Sequence, residues 1–114
     1  MSIQTIDLAT FAELQDTAGA DFVNELVQTF FEEAPAMLKE LRDTRAAGDA
    51  DAFRRAAHSL KSNSLTFGAH TLGAMARELE LGGLGAPAQP TDALDALATE
   101  YARVAAALRE LTHG

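Results

Sequence analysis

The chain has 114 residues, 47% of them hydrophobic, a formal net charge of −8 and no cysteine. These values exclude disulfides and thiolate metal sites, and they argue against a nucleic-acid or anionic-membrane partner, because both need a basic surface on the protein. The apolar content is too high for a disordered tail, and the length suits one domain, so we expect a single domain over residues 1–114.

A short first helix is predicted near the N-terminus. Alanine and leucine dominate the composition while β-branched and aromatic residues are scarce, which favours helices over strands throughout the chain. The first helix runs from about Asp7 to Gln15. Asp7 is placed to cap it, because an aspartate side chain accepts hydrogen bonds from the first free N–H groups of a helix.

The second predicted helix is the longest and begins near Asp21. Its apolar residues recur at spacings of three and four, the pattern of a helix with one buried face. Pro35 lies inside this pattern, but the phase continues across it, so we predict one kinked helix that ends at Gly48. The apolar face comprises Val23, Leu26, Val27, Phe30, Ala34, Met37, Leu38 and Leu41.

Two helices of similar character follow. The third is capped by Asp49 or Asp51 and runs to about Phe67, and the fourth lies between Gly68 and the glycine pair at 82–83. Both show one apolar face. The inward residues are Phe53, Ala57, Leu60, Ser64 and Phe67 in the third helix and Leu72, Met75, Ala76 and Leu79 in the fourth.

A loop and a last helix complete the chain. Residues 82–90 are rich in glycine and proline and therefore favour a loop, after which Thr91 is placed to cap the last helix. The apolar face of that helix comprises Leu94, Leu97, Tyr101, Val104, Leu108 and Leu111. Helices with single apolar faces and short connections pack economically as a bundle. We therefore predict an all-α fold, an up-down antiparallel four-helix bundle with a short extra N-terminal helix.

The third helix carries a histidine on its outward face. With Phe53 set at zero and about 100° per residue, His58 falls at about 140°, well away from the apolar face. Two cations flank it, Arg54 at about 100° and Lys61 at about 80°. The same face carries the small residue Ser62 and the apolar Leu65.

Several readings of this histidine are open. An exposed histidine is usually only a solvated polar residue, and the flanking cations suit a solvated face. A metal site is disfavoured, because Arg54 and Ser62 stand where a zinc-binding helix would offer further ligands and Lys61 would repel a cation. A hydrolytic site lacks the strand-to-helix turn of a serine nucleophile, and the glycines at 82–85 lack the ending of a phosphate-binding loop.

A histidine that itself carries phosphate fits the pattern better. Imidazole is nucleophilic near neutral pH, because its usual pKa of about 6.5 leaves much of it uncharged. A phosphoryl group on the ring would bring nearly two negative charges, which Lys61 and Arg54 could stabilise. The small Ser62 leaves room for the active site of a partner.

At these residues the sequence resembles the histidine-containing phosphotransfer (HPt) domain family of bacterial and plant phosphorelays. The likeness is strongest from about Asp21 to Leu81 and includes the phenylalanine-acidic-proline helix upstream. The matching positions are His58, Leu60, Lys61, Gly68, Ala69, Leu72 and the pair Leu79-Glu80. Ser62 departs from the usual glycine, and Asn63 stands where small residues are usual.

The resemblance implies that His58 accepts a phosphoryl group from a receiver aspartate or a histidine kinase and passes it to a response-regulator receiver. Lys61 would stabilise the phosphate, with Arg54, Ser62 and Leu65 lining the site. Leu60 and Gly68 would be structural. The chain would be a phosphoryl carrier without cofactor or kinase activity of its own, since it has no nucleotide-binding motif, and Mg²⁺ would belong to the partner receiver.

The sequence also leads to expectations about a docking surface and about location. A docking surface around His58 would include Leu65, Arg54 and Arg55, with Phe22 or Phe31 from the preceding helix as further candidates, unless these phenylalanines widen the core instead. No apolar run is long enough to span a membrane and the N-terminus lacks the pattern of a signal peptide, so we expect a cytoplasmic protein. We also expect a monomer. The alternative function is a non-transferring adaptor of the same fold that binds and inhibits a kinase or receiver, which Ser62 keeps open.

Overall fold

The computed structural model describes residues 5–83 and 92–113, and in these ranges the chain forms five α-helices and no β-strand. The helices are α1 (Leu8–Ala18), α2 (Ala20–Ala47), α3 (Ala50–Thr66), α4 (His70–Gly82) and α5 (Asp92–His113). Packing runs from α2 to α3, α3 to α4, α4 to α5 and α5 back to α2, which leaves α3 and α5 diagonally opposite. The predicted all-α bundle is confirmed, with α1 as the extra N-terminal helix.

The first helix is longer than predicted. Asp7 caps it as expected, since its Oδ1 accepts from the backbone N–H of Ala9 at 3.0 Å and of Thr10 at 3.4 Å. The helix then continues past Gln15 to Ala18, because Leu14 and Ala18 extend the apolar face that Phe11 begins and pack against the core. Gly19 alone separates α1 from α2.

The second helix is continuous across Pro35, as the unbroken apolar phase predicts. Pro35 is exposed, so the backbone hydrogen bond that its ring removes lies on the solvent side of the helix rather than in the core. Gly48 ends the helix in the left-handed conformation, at a φ of 74°, and its N–H donates to the carbonyl of Arg45.

The apolar face of α3 has the predicted phase. Asp49 is its cap, accepting from the N–H of Ala52 at 3.1 Å. Phe53, Ala57, Leu60, Ser64 and Phe67 are all buried. The hydroxyl of the buried Ser64 donates to the carbonyl of Leu60 at 2.7 Å, which satisfies it within its own helix.

The last two helices close the core. The predicted loop at 82–90 begins later than expected, since Gly82 is the last residue of α4 and Gly83 its C-cap. Residues 84–90 and the predicted cap Thr91 lie outside the described residues. Leu72, Ala76 and Leu79 of α4 are buried, as are Leu94, Leu97, Val104 and Leu108 of α5, while Met75, Tyr101 and Leu111 are half-buried against them. The ring of Phe30 contacts Phe67 and Tyr101 at centroid distances of 5.4 and 5.6 Å, so aromatic packing joins α2 to the C-cap of α3 and to α5.

The α3–α4 turn is docked onto the start of α1 at Gly68. This glycine has a φ of 82°, and its carbonyl accepts from the N–H of Asp7 at 2.8 Å. A Cβ atom at this position would lie 2.9 Å from the carbonyl oxygen of Asp7, so the close approach requires glycine. Within residues 5–83 and 92–113, none of the helices is both long and apolar enough to cross a membrane.

Candidate functional site

His58 lies in the middle of α3 on the face opposite the core. Its side chain is 57% exposed, although its neighbours Ala57 and Leu60 are fully buried. The phase of α3 explains this contrast, because residues that follow one another on a helix are about 100° apart. The imidazole is therefore held on a rigid helix and is open to solvent.

The imidazole is oriented by a carboxylate from the neighbouring helix. Nδ1 of His58 lies 2.7 Å from Oε2 of Glu80 on α4, and the Glu80 side chain is only 19% exposed. An ionised carboxylate only accepts hydrogen bonds, so this contact places the ring proton on Nδ1. In the neutral ring, Nε2 then carries the free lone pair and is the nucleophilic atom.

Lys61 contacts the same carboxylate. Its Nζ lies 2.8 Å from Oε1 of Glu80, and its side chain is 22% exposed. This contact is an ion pair rather than a well-aligned hydrogen bond, since the buried Oε1 has no donor in hydrogen-bonding geometry among the described residues. The Lys61 ammonium, followed by the His58 ring, lowers the pKa of the Glu80 carboxyl below its usual value. Glu80 is therefore ionised at neutral pH and links the two residues.

A shallow cleft borders His58 towards the start of α3. It has a volume of about 350 Å³ and is lined by Arg54, Arg55, His58, Ser59 and Glu80. Both arginines are exposed. The Arg54 guanidinium forms an ion pair with Asp51 one turn earlier, whereas the Arg55 guanidinium has no ion pair or hydrogen bond to the described residues. The cleft can therefore accept an anion beside the imidazole.

The other predicted lining residues lie beyond His58 along α3. Ser62 is exposed, and Leu65 is 42% exposed. Leu65 packs closely over Gly73 of α4, where an added Cβ atom would lie 2.7 Å from Leu65 Cδ2. Asn63 is half-buried, with Nδ2 3.9 Å from the sulfur of Met37. The outward face of α3 thus presents His58, Ser62 and Leu65 in a row.

The two candidate phenylalanines of α2 differ. Phe22 is 50% exposed. Phe31 is half-buried against the core and lies under the guanidinium of Arg109, 5.1 Å from its ring centroid. Arg109 belongs to α5, which is diagonally opposite α3. Phe31 therefore faces away from His58 and does not belong to a docking surface around it.

Glu80 is the site residue that the sequence analysis did not single out. It appears there only within the motif Leu79-Glu80, without a role. It lies 22 positions from His58, so the contact depends on how α3 and α4 align along their axes. The available signal was an acidic residue directly after the buried Leu79, at the edge of the apolar face of α4.

His70 has a structural setting. Nε2 of His70 lies 3.1 Å from Oδ2 of Asp7, which joins the start of α4 to the cap of α1. This contact and the backbone hydrogen bonds from Thr10 and Ala9 lower the pKa of the Asp7 carboxyl. Across the described ranges, no three side chains of histidine, aspartate or glutamate converge as a metal site would require.

Two comparisons with known proteins return a match. The family model of the Hpt domain matches residues 25–107. The sensor protein TorS of Escherichia coli (strain K12) is 31% identical over 84 residues, which cover 74% of this chain and 9% of that protein. The chain therefore spans a small part of the length of this relative. No solved structure gives a significant match.

Proposed function

Because the chain belongs to the Hpt domain family, whose role is phosphotransfer in two-component phosphorelays, we propose that it carries a phosphoryl group on Nε2 of His58. The donor is the aspartyl phosphate of a receiver domain or a histidine kinase, and the acceptor is a response-regulator receiver. The observation that carries this proposal is the contact between His58 Nδ1 and Glu80, which directs the other ring nitrogen to solvent.

The transfer step follows from this arrangement. The lone pair of Nε2 attacks the phosphorus of an aspartyl phosphate on the partner. A P–N bond forms, the P–O bond to the aspartate breaks, and the aspartate leaves as a carboxylate. The ring keeps its proton on Nδ1 and becomes positively charged, and the Glu80 carboxylate stabilises that charge. The reverse step transfers the group to the next receiver.

Lys61 assists at the phosphoryl group. An ammonium has three donors, and Lys61 uses its charge rather than an aligned donor in the ion pair with Glu80. Its donors are available to the incoming dianion, whose charge of about −1.5 to −2 favours a nearby cation. Lys61 therefore acts twice, first by holding Glu80 against the ring and then by stabilising the phosphoryl oxygens.

The partner supplies the rest of the chemistry. The chain has no nucleotide-binding motif, so the phosphoryl group comes from another protein. The Mg²⁺ ion that neutralises the transferred group lies in the acidic pocket of the receiver. Exposure of His58 on a helix face, beside the small Ser62, lets such a pocket approach Nε2.

A chemical donor tests His58 without a known partner. The purified chain is treated with phosphoramidate, and the product is examined for acid-labile, base-stable phosphate by intact mass and ³¹P NMR. We expect the wild type to gain one phosphoryl group and His58→Gln to gain none. His70→Gln is the matched control, since His70 is equally open to solvent at 59% exposure. Labelling of His58→Gln at the wild-type level would refute the proposal.

The second stage tests the relay. Phosphorylated wild type is mixed with a purified receiver domain and Mg²⁺, and we expect the label to move to the receiver and become base-labile. A chain that binds a receiver or kinase but accepts no phosphoryl group from it or from phosphoramidate would instead support the adaptor function.

A further inference from the structure

We infer that Arg55 is the cation that binds the phosphoryl group on His58 from the side of the ring away from Lys61. This inference rests on the proposed function and gives Arg55, which the sequence marks only as a candidate docking residue, a role at the phosphoryl group itself. It follows from the balance of charge around His58, from the order of side chains around α3 and from the cleft that Arg55 shares with the imidazole.

Most of the charges around the His58 ring are already paired. Glu80 pairs with Lys61 Nζ at 2.8 Å, so these two residues together contribute no net charge beside the ring. Arg54 is paired with Asp51 in the same way. A phosphoryl group then adds a charge of about −1.5 to −2 next to a carboxylate that is already ionised. Arg55 is the cation of this cleft that has no ion pair to any described residue.

The order of side chains around α3 places Arg55 correctly. Starting from Phe53, Lys61 falls at about 80°, His58 at about 140° and Arg55 at about 200°. His58 therefore stands between the two cations, with Lys61 turned towards α4 and Arg55 on the opposite flank. Residues three apart on a helix are surface neighbours, so the long side chain of Arg55 lies within reach of a phosphoryl group carried on Nε2.

The chemistry of arginine fits the task. Its planar guanidinium donates two parallel N–H groups to two phosphoryl oxygens, which an ammonium cannot do. The cleft of about 350 Å³ that Arg55 lines with His58 and Ser59 is open to solvent, so the group is accessible to a receiver. Arg55 thus holds the phosphoryl group while Glu80 holds the ring.

The test uses the full chain and phosphoramidate. Phosphorylation transfers the group from the nitrogen of phosphoramidate to Nε2, and ammonia leaves. We expect Arg55→Ala to be phosphorylated about tenfold more slowly than wild type, and Arg55→Lys to be intermediate. Arg103→Ala is the matched control and should stay within about twofold. Arg103 is an exposed arginine on α5, diagonally opposite α3.

A second readout separates phosphate binding from a structural effect. The ³¹P shift of phosphorylated His58 is followed against pH, because a bound cation lowers the pKa of the phosphoryl oxygens. We expect this pKa to rise in Arg55→Ala and to be unchanged in Arg103→Ala. Equal rates and equal titration curves in wild type, Arg55→Ala and Arg103→Ala would overturn the inference alone. A wild-type chain that accepts no phosphoryl group would overturn the proposed function and this inference with it.

Discussion

Oε2 of Glu80 lies 2.7 Å from Nδ1 of His58, although the two residues are 22 positions apart in the chain. The contact crosses from α4 to α3, the two helices that pack most extensively against each other. Gly73 contributes to this packing, because its missing side chain makes room for Leu65. The orientation of an exposed imidazole is therefore fixed by close contact between two helices, and not by the helix that carries it.

Replacing Glu80 with glutamine should slow phosphorylation without preventing it. The amide is neutral, so it no longer stabilises the positive ring, and its NH₂ group can donate to Nδ1 and move the ring proton to Nε2. We expect phosphoramidate to label Glu80→Gln about tenfold more slowly than wild type. The ¹⁵N shifts of the His58 ring report the tautomer directly, and an unchanged tautomer together with an unchanged rate would contradict this role.

Replacing Lys61 with alanine should slow transfer and leave the bundle folded. The ion pair between Lys61 and Glu80 is partly buried, so its loss costs some stability, but the residues that α3 buries in the core are unchanged and the bundle stays folded. Loss of Lys61 removes a cation from the phosphoryl group and a restraint from Glu80. We expect an unchanged helical circular dichroism spectrum and slower transfer to a receiver. A variant that transfers at the wild-type rate would exclude both effects.

The pH dependence of stability should reveal the ion pair at Glu80. The pKa of the Glu80 carboxyl is lowered in the folded state by Lys61 and then by His58, so the unfolded state binds more protons in acid. The contribution is fully present above the usual carboxyl pKa of 4.5 and is lost as the pH falls through the lower folded value. Urea unfolding of wild type and Glu80→Gln checks this. The wild-type advantage should shrink between about pH 7 and about pH 3, and a constant difference would contradict it.

His58 and Phe31 show which features of the fold local spacing predicts and which it does not. Local spacing fixes which side of a helix is buried, so the outward direction of His58 follows from Phe53, Ala57 and Leu60. Spacing does not fix how far one helix is shifted along its axis relative to the next, and the contact between His58 and Glu80 depends on that shift. Phe31 shows the same limit, because only the position of α5 places Arg109 over its ring. The sequence therefore predicts faces and caps, whereas contacts between helices require the folded structure.

Leu65 should contribute to receiver binding more than to folding. Leu65 is 42% exposed and its side chain rests on Gly73, two turns from His58 on the same face. An exposed apolar group beside a reactive residue is typical of an interface that forms and dissociates. We expect Leu65→Ala to unfold at nearly the wild-type urea concentration and to be labelled normally by phosphoramidate, but to bind a receiver about tenfold more weakly in calorimetry. Wild-type affinity would remove Leu65 from the interface.

Alanine substitutions at two glycines allow the loss of stability from a strained backbone to be measured separately from the loss caused by a steric clash. Gly48 and Gly68 both have positive φ, 74° and 82°, so alanine at either position is strained by about 1–2 kcal/mol. An added Cβ meets nothing within 4 Å at Gly48, whereas at Gly68 it lies 2.9 Å from the carbonyl oxygen of Asp7 and 3.1 Å from Cβ of Thr10.

Backbone atoms cannot move aside as a flexible side chain can, so Gly68→Ala also disturbs the docking of α1. We expect its free energy of unfolding to fall by at least about 1 kcal/mol more than that of Gly48→Ala, measured by urea unfolding. Equal losses in the two variants would show that the turn at Gly68 requires only the backbone freedom of glycine, and not its lack of a side chain.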